Sequence, residues 1–521
     1  MRPSNIGKRG IAAAACVLAL GLARRNAGAE PPLPSSELDD APAIHRASQT
    51  ATTVRARELA QFRLAISLYR LKFFQSAYGI FSEIADHPNH AAFHATLPWL
   101  AKLATDLPEP ADIDERVGKY NELAIDMVHA SEPALGWQLD YLLGRYRYRN
   151  RQYEGALRLF ARVDRLSKYY CKAQFWSGIA NVQMRRPVEA VKSFEKIVQA
   201  IDDGIDGLED DGRLQALARL SIARTYYSAA VRLDGRGVPV MNRSGLAAAL
   251  AEWKAVDVTS EYWLDAIFEQ SWAYFMVGDH ARALGNLHTI QLIDFQKAYS
   301  PEVDILRSTI YVTNCQYDDA ATLAARFHAK YQPIATELTT ALTALQGADQ
   351  DEPFYKFARD VREGRGSVSA QSRPAVTLAL GDRQFLRHLQ YVVVLEDELK
   401  RLAKAPPAFR DSALGSHVKD AAQLARDIAI RNAAELARDR LKRQLEELNE
   451  HLRDNVKLLV GAMAGQRGGL DPSLVPWRVP ARDADRNVVR ADEEHVIWPF
   501  TGELWSDEGG SYRQSIRSKC R

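Results

Sequence analysis

The chain contains 521 residues, of which 46% are hydrophobic and 26% are charged, and its formal net charge at neutral pH is +2. This composition is that of a soluble, folded protein, and the length accommodates two or three domains. Because the net charge is close to zero, no overall electrostatic bias points to nucleic acid or to an anionic membrane surface, and we expect no nucleic-acid partner.

The N-terminal residues have the pattern of a cleaved secretory signal. Basic residues precede an apolar run over residues 11–23 that is too short to span a bilayer, and small residues at 27–29 offer a cleavage site. Cleavage after Ala23 is the alternative. We expect residues 1–29 to be a signal peptide, and we expect no transmembrane segment after its cleavage. In a bacterium, the expected location of the mature protein is periplasmic or outer-membrane-associated. Residues 30–52, rich in Pro, Ser and Asp, are predicted to form a flexible tether.

Two segments between residues 137 and 200 repeat each other. Three small or aromatic residues recur 34 positions later, as the pairs Gly144 and Gly178, Ala156 and Ala190, and Phe160 and Phe194. The small residues let two antiparallel helices approach closely, and the phenylalanine fills the space beside the next helix. This pattern resembles the tetratricopeptide repeat, a helical pair with the same period. The resemblance implies a right-handed α-solenoid with a concave partner-binding surface, and it implies no chemistry.

Weaker matches extend the repeat in both directions. Phe74, Ala77 and Phe81 fit the second helix of an earlier pair, and Ala249 and Trp253 fit that of a later one. We therefore expect an all-α protein with a tetratricopeptide-like solenoid over residues 53–345. An acidic, glycine-rich stretch at 202–212 does not fit the EF-hand calcium loop, and we interpret it as a solvated turn.

Beyond residue 345 the pattern changes. A short helix and a linker are predicted over residues 346–382, followed by a helical coiled-coil hairpin over 383–465 and an aromatic-containing irregular tail over 466–521. The heptad seam of the hairpin consists of Leu441, Leu445, Leu448, Leu452 and Leu459. The coiled coil offers a route to a homo-oligomer. The alternative is that its first helix only caps the solenoid.

Three cysteines remain after signal cleavage: Cys171, Cys315 and Cys520. Their spacing contains no C-x-x-C motif, which gives no support to zinc or thioredoxin chemistry. We expect the tail to dock on the folded protein through Trp498, Phe500 and Trp505, with Cys520 bridging to Cys315 or to Cys171. The alternative is a flexible linear motif that another protein captures.

The tail also carries a second resemblance. The tail contains the stretch WPFTGELW at 498–505, followed by an acidic pair, Tyr512 and a terminal Ser-Lys-Cys. This pattern is similar to the end of tetratricopeptide proteins in the envelope of myxobacteria and their relatives. Some of those proteins belong to the adventurous gliding motility machinery. The resemblance implies a role in a cell-envelope complex.

The sequence contains no signature of catalysis. H-E-x-x-H, G-x-S-x-G, P-loop and dinucleotide-binding motifs do not occur, and the twelve histidines have no metal-ligand spacing. We therefore expect no enzymatic activity, no cofactor and no metal site. The expected function is that of a secreted scaffold that binds a protein partner in an envelope complex. The alternative is a cell-wall-associated binding or lytic protein carried on a solenoid.

The candidate binding residues lie on one helix face and recur at steps of three and four, with one neighbour beside them: Gln138, Tyr141, Arg145, Tyr148 and Arg149. The resemblance implies that this face lines the concave surface, and aromatic and guanidinium groups are enriched at binding hot spots. The carboxylate clamp of the family needs asparagine where this chain has Arg145, so that mode is not expected. The alternative is that the tyrosines pack between repeats and the arginines pair with neighbouring acids.

Overall fold

The computed structural model describes residues 35–208, 210–233, 239–292, 299–469, 487–489 and 509–520. Within these residues the chain forms 21 α-helices and one short β-hairpin, so the all-α class predicted from the helical periodicity is confirmed. The predicted signal peptide lies outside the described residues. Among the described helices, none combines the length and the apolar character needed to cross a membrane.

The first eight helices cover residues 35–162. They are α1 (Ser35–Thr50), α2 (Val54–Arg70), α3 (Phe74–Ala85), α4 (Phe93–Asp106), α5 (Ile113–Val117), α6 (Glu122–Ser131), α7 (Pro133–Arg149) and α8 (Tyr153–Arg162). Helix α1 lies in the stretch predicted to be a flexible tether, and that prediction is wrong for these residues. Leu38 and Ala41 of α1 are buried against the core, and this tertiary packing overrides a composition typical of a linker.

The middle of the chain continues the succession of paired helices. They are α9 (Tyr170–Gln183), α10 (Pro187–Asp202), α11 (Asp211–Ala230), α12 (Arg243–Lys254), α13 (Trp263–Met276), α14 (His280–Ile290), α15 (Pro301–Thr313) and α16 (Tyr317–Ala344). Proline occupies the first position of α7, α10 and α15, where its missing N–H costs no helical hydrogen bond. Strands β1 (Val231–Leu233) and β2 (Pro239–Met241) form an antiparallel hairpin between α11 and α12.

Five helix pairs are joined by the same turn. A residue with left-handed backbone conformation stands two positions before the second helix of each pair: Lys72, Arg151, Arg185, Gly278 and Cys315, with φ between 56° and 77°. In every case its amide bonds to the carbonyl three residues earlier, and the next amide bonds to the carbonyl five residues earlier. This is a Schellman-type helix end, and its recurrence shows that the paired helices are built alike.

The close approach predicted at the small residues is present in both central pairs. A Cβ atom placed on Gly144 would lie 2.5 Å from the ring of Phe160, and one on Gly178 would lie 2.4 Å from Phe194. Both phenylalanines are fully buried. Only glycine therefore fits at these two crossing points.

The C-terminal helices return along the earlier ones. They are α17 (Asp351–Arg362), α18 (Arg373–Ala379), α19 (Arg383–Lys404), α20 (Pro407–Arg410) and the 54-residue α21 (Ala413–Gln466). Helices α19 and α21 are antiparallel, because Arg440 pairs with Asp382 and Arg426 pairs with Glu396. Helix α21 also packs along α15, α16 and α17 and touches α3.

The leucine seam of α21 faces its own chain. Leu441, Leu448 and Leu452 are buried, and Leu445 packs partly against the same core. Farther along the helix, the side-chain amide of Asn455 donates to the Ala324 carbonyl at 2.9 Å. The seam is therefore used in packing within the monomer.

Candidate functional site

The five candidate binding residues form a stripe along α7 that is used largely for packing within the protein. Gln138 and Tyr141 are 3% and 5% exposed. The Gln138 amide nitrogen donates to the Ala101 carbonyl at 2.7 Å and to the Thr105 hydroxyl at 3.2 Å. Gln138 therefore ties α7 to α4, while the Tyr141 ring packs against Phe160 and Tyr169, and both residues present little surface to a partner.

Arg145 connects the stripe to the C-terminal helices. Its guanidinium pairs with Glu109, and the other oxygen of Glu109 pairs with Arg387 on α19. The same guanidinium lies about 6 Å from the ring centroids of Tyr141 and Trp176, which is the range of cation–π attraction. The position is thus a junction between α7, the 109–111 turn and α19.

Arg149 is the most exposed of the five residues. It bridges Asp112 at 2.9 Å and Asp114 at 2.7 Å. Burial raises the pKa of the Asp114 carboxyl, while the nearby charges of Arg145 and Arg149 act in the opposite direction. Tyr148 packs against Trp176, with ring centroids 4.8 Å apart. The five residues thus lie together, with the arginines paired to acids and Tyr148 packed against the next repeat.

A polar cavity of about 180 Å³ opens beside this junction. Gln138, Tyr141 and Arg145 line it together with Lys168 and Lys172 from the following loop and helix. Burial raises the pKa of the Tyr141 hydroxyl, and the positive charges of Arg145 and Lys172 oppose that shift. The sequence did not indicate the two lysines, because only the tertiary fold brings α9 beside the α7 face.

A second, larger cavity lies at the turn between α7 and α8. It is open, has a volume of about 440 Å³, and its lining includes Arg147, Arg151 and Arg158. The net charge of the whole chain, +2, conceals these residues. A local count of basic residues along α7–α10 would have indicated them.

The docking of the tail is visible in its last described residues. Cys520 forms a disulfide with Cys315, and Cys171 is a free, buried cysteine. Burial raises the pKa of the Cys171 thiol to about 11, which keeps it protonated and unreactive at neutral pH. The predicted anchors Trp498, Phe500 and Trp505 lie outside the described residues.

Residues 509–520 cross α14 as an extended segment. The Gly510 amide donates to the Thr289 hydroxyl at 3.2 Å, and the Gln514 amide donates to the Ala281 carbonyl at 2.9 Å. The Lys519 amide donates to the Asn314 carbonyl at 2.9 Å. Ile516 is buried in the core formed by α11–α15. Backbone and side-chain contacts thus hold the segment along its length.

Among the described residues, no group of three or more His, Cys, Asp or Glu is placed to hold a metal ion. No family model matches the chain, and neither a curated protein nor a solved structure matches it. The function is therefore inferred from the geometry of the chain itself.

Proposed function

We propose that this protein is a non-enzymatic, exported scaffold: a tetratricopeptide-like, right-handed α-solenoid that binds a protein partner in a cell-envelope complex. The observation that carries the proposal is the identical left-handed turn in five helix pairs, together with the 34-residue spacing of Arg151 and Arg185. Helical pairs that repeat in this way stack into an extended surface, and such surfaces bind partners.

Export to an oxidising compartment is the second part of the proposal. The disulfide between Cys315 and Cys520 supports it, because disulfides persist in secreted and periplasmic proteins and are rare in the reducing cytosol. Cleavage of a signal peptide close to Glu30 would produce the mature chain. The resemblance of the tail to envelope proteins of gliding bacteria suggests a motility complex as the narrower setting.

We assign the α19–α21 hairpin the role of a brace rather than of a dimerisation device. It contacts α3 near one end of the described helices and α15–α17 near the other. Because Leu441, Leu448 and Leu452 of the seam are already buried, association of two copies through the seam would first have to undo packing within each monomer. The partner surface in this proposal runs along α7 past Arg149 to the α7–α8 turn.

The decisive experiment is purification of the tagged, full-length protein from cross-linked envelopes of its native host. We expect the same proteins in replicate purifications and not in a mock purification from an untagged strain. The mature N-terminus, read by mass spectrometry on the same material, should lie near Glu30. Repeated failure to enrich any protein would contradict the scaffold proposal. Release of soluble fragments from purified cell wall would instead favour the lytic alternative.

A further inference from the structure

Positive charge is concentrated in one part of the chain. Residues 145–196 contain 13 Lys or Arg and 4 Asp or Glu, a formal charge of +9 in a chain whose total is +2. The remainder therefore carries −7. Such separation of charge along the sequence gives helices α7–α10 a local field that the net charge conceals.

Five of these basic residues are neutralised by ion pairs. They are Arg145 with Glu109, Arg149 with Asp112 and Asp114, Arg162 with Asp126 and Asp140, Arg165 with Asp203, and Arg186 with Glu154. Most of these acidic residues lie outside residues 145–196. Because each of these guanidinium groups already faces a carboxylate, the five residues add little net positive charge for a partner.

Three arginines at the α7–α8 turn are different. Within the described part of the chain, Arg147, Arg151 and Arg158 have no carboxylate partner, and Arg147 donates only to the neutral Gln152 side chain, at 2.6 Å. The two acids that line the same cavity are occupied elsewhere: Glu154 pairs with Arg186 at 2.7 Å, and Glu122 lies 3.8 Å from Arg162. The cavity thus keeps three uncompensated guanidinium groups.

The three groups converge on one place. A Cβ atom placed on Gly155 would lie 3.9 Å from both Arg147 Cδ and Arg158 Nη2, so the two side chains flank a glycine. Arg151 stands in the left-handed turn that precedes α8. The positive end of the α8 dipole adds charge of the same sign, and Tyr153 and Met184 contribute apolar lining.

We propose that this cavity binds an acidic segment of the protein partner, whose Asp or Glu carboxylates pair with Arg147, Arg151 and Arg158. This inference rests on the proposed scaffold function and names the chemistry of its partner. Guanidinium groups form bidentate, charge-assisted hydrogen bonds with carboxylates. The concave shape, with an aromatic and a thioether side chain at its edge, favours side chains that enter a cavity over the flat surface of a membrane.

The test uses the full-length protein and a labelled peptide of alternating Glu and Ser, with fluorescence anisotropy as the readout. The variant Arg147→Gln, Arg151→Gln, Arg158→Gln is compared with Arg431→Gln, Arg443→Gln, Arg467→Gln, which removes three exposed charges from α21 and its end. Both variants have the same net charge. We expect the first to weaken peptide binding by more than about tenfold and the second by less than about twofold.

Equal weakening by the two variants would show a general charge effect and overturn the proposal. So would the absence of binding to the wild-type protein at low salt, or a preference of this site for inorganic phosphate or for vesicles of anionic phospholipid. If the first variant fails to fold, as judged by circular dichroism, Arg151→Gln and Arg158→Gln are tested singly, since both side chains are exposed.

Purification from cross-linked envelopes separates this inference from the function on which it rests. Partners captured equally by the wild type and by the Arg147, Arg151, Arg158 variant would overturn the acidic-segment site and leave the scaffold function standing. Capture of no partner by the wild type would contradict the scaffold function, whatever the peptide result.

Discussion

Glu398 on α19 accepts hydrogen bonds from both the backbone amide and the hydroxyl of Ser76, which stands 322 residues earlier at the start of α3. The other carboxylate oxygen accepts from the Gln75 amide at 2.9 Å. Glu398 is 1% exposed. The carboxylate therefore caps a helix N-terminus, where a negative charge is stabilised and the first amides lack partners within the helix. This contact joins the C-terminal brace to the N-terminal helices.

The first prediction concerns this cap. Glu398→Ala removes the acceptor of the part-buried Gln75 amide and of the buried Ser76 amide and hydroxyl, so we expect the free energy of unfolding to fall by about 2–3 kcal/mol. Asp397→Asn, next in sequence and exposed, is the matched control and should change stability by less than about 0.5 kcal/mol. Urea titration followed by circular dichroism measures both. Equal, small effects would mean that the brace does not close on α3.

The sequence could predict contacts within a pair of helices but not those between distant ones. Gly144 and Phe160 are 16 residues apart in one repeat, so their spacing indicated the close approach that the structure contains. The contact of Glu398 with Ser76 leaves no such trace, because a glutamate in a charged helix usually faces solvent. Helix α1 was missed for the same reason, since it is held by burial of Leu38 and Ala41 against other elements.

For the stripe on α7, the sequence placed the five residues on one face but could not say what covers them. Gln138 is buried by Ala101 and Thr105, and Arg145 is paired with Glu109. These partners lie on α4 and in the 109–111 turn, whose position relative to α7 depends on tertiary packing. Which arginines are free to bind is therefore a property of the fold and not of the local pattern.

The recurring turn gives the second prediction. Arg185 has a φ of 58°, a conformation that costs a residue with a Cβ atom roughly 1 kcal/mol and costs glycine nothing. We expect Arg185→Gly to raise the free energy of unfolding by about 0.5 kcal/mol, after the added entropy of the unfolded chain is subtracted. Lys192→Gly, exposed inside α10, should lower it by about 1 kcal/mol. Destabilisation of similar size by both changes would contradict the left-handed assignment.

The third prediction concerns acid sensitivity. His280 is fully buried, stacks on Phe275 and is hydrogen-bonded to Asn314 at 2.8 Å. Burial lowers the pKa of His280 below its ordinary value of 6.5, and the hydrogen bond with Asn314 only partly opposes this shift. The unfolded state thus binds a proton that the folded state does not. The contribution of His280 to the free energy of unfolding is therefore complete above pH 6.5 and is lost as the pH drops below that value.

We therefore expect the wild type to lose up to about 1.4 kcal/mol per pH unit from this group between pH 6.5 and pH 5. His280→Gln should remove that part of the dependence, and His94→Gln, at an exposed position, should leave it in place. Urea midpoints at several pH values measure the slopes. Identical slopes for the wild type and for His280→Gln would contradict the prediction.

The fourth prediction concerns the disulfide. Peptide mapping without reduction should recover a peptide that links Cys315 with Cys520, together with a free thiol at Cys171. The bridge closes a loop of about 205 residues, so Cys520→Ser should lower the free energy of unfolding by about 2–4 kcal/mol. A reducing agent should destabilise the wild type and leave Cys520→Ser unchanged. A free thiol at Cys520 in material from the native host would contradict the pairing.

The last prediction distinguishes a docked tail from a free one by whether Gly285→Ala raises or lowers the free energy of unfolding. A Cβ atom placed on Gly285 of α14 would lie 1.8 Å from the carbonyl oxygen of Tyr512, so alanine does not fit while the tail is docked. In a helix without such a neighbour, glycine to alanine stabilises by about 1 kcal/mol. Gly79 of α3 is a control of that kind, since a Cβ atom there meets nothing within 4 Å.

With the tail docked, Gly79→Ala should raise the free energy of unfolding, whereas Gly285→Ala should lower it or leave it unchanged. Gly285→Ala should also speed the amide exchange of Gln514 and Lys519. Those two amides donate to Ala281 and Asn314, on either side of the glycine. In Cys315→Ser lacking residues 509–521, Gly285→Ala should become stabilising, because the obstructing carbonyl has been removed. If Gly285→Ala stabilises the full-length chain as much as Gly79→Ala does, the tail does not rest on α14.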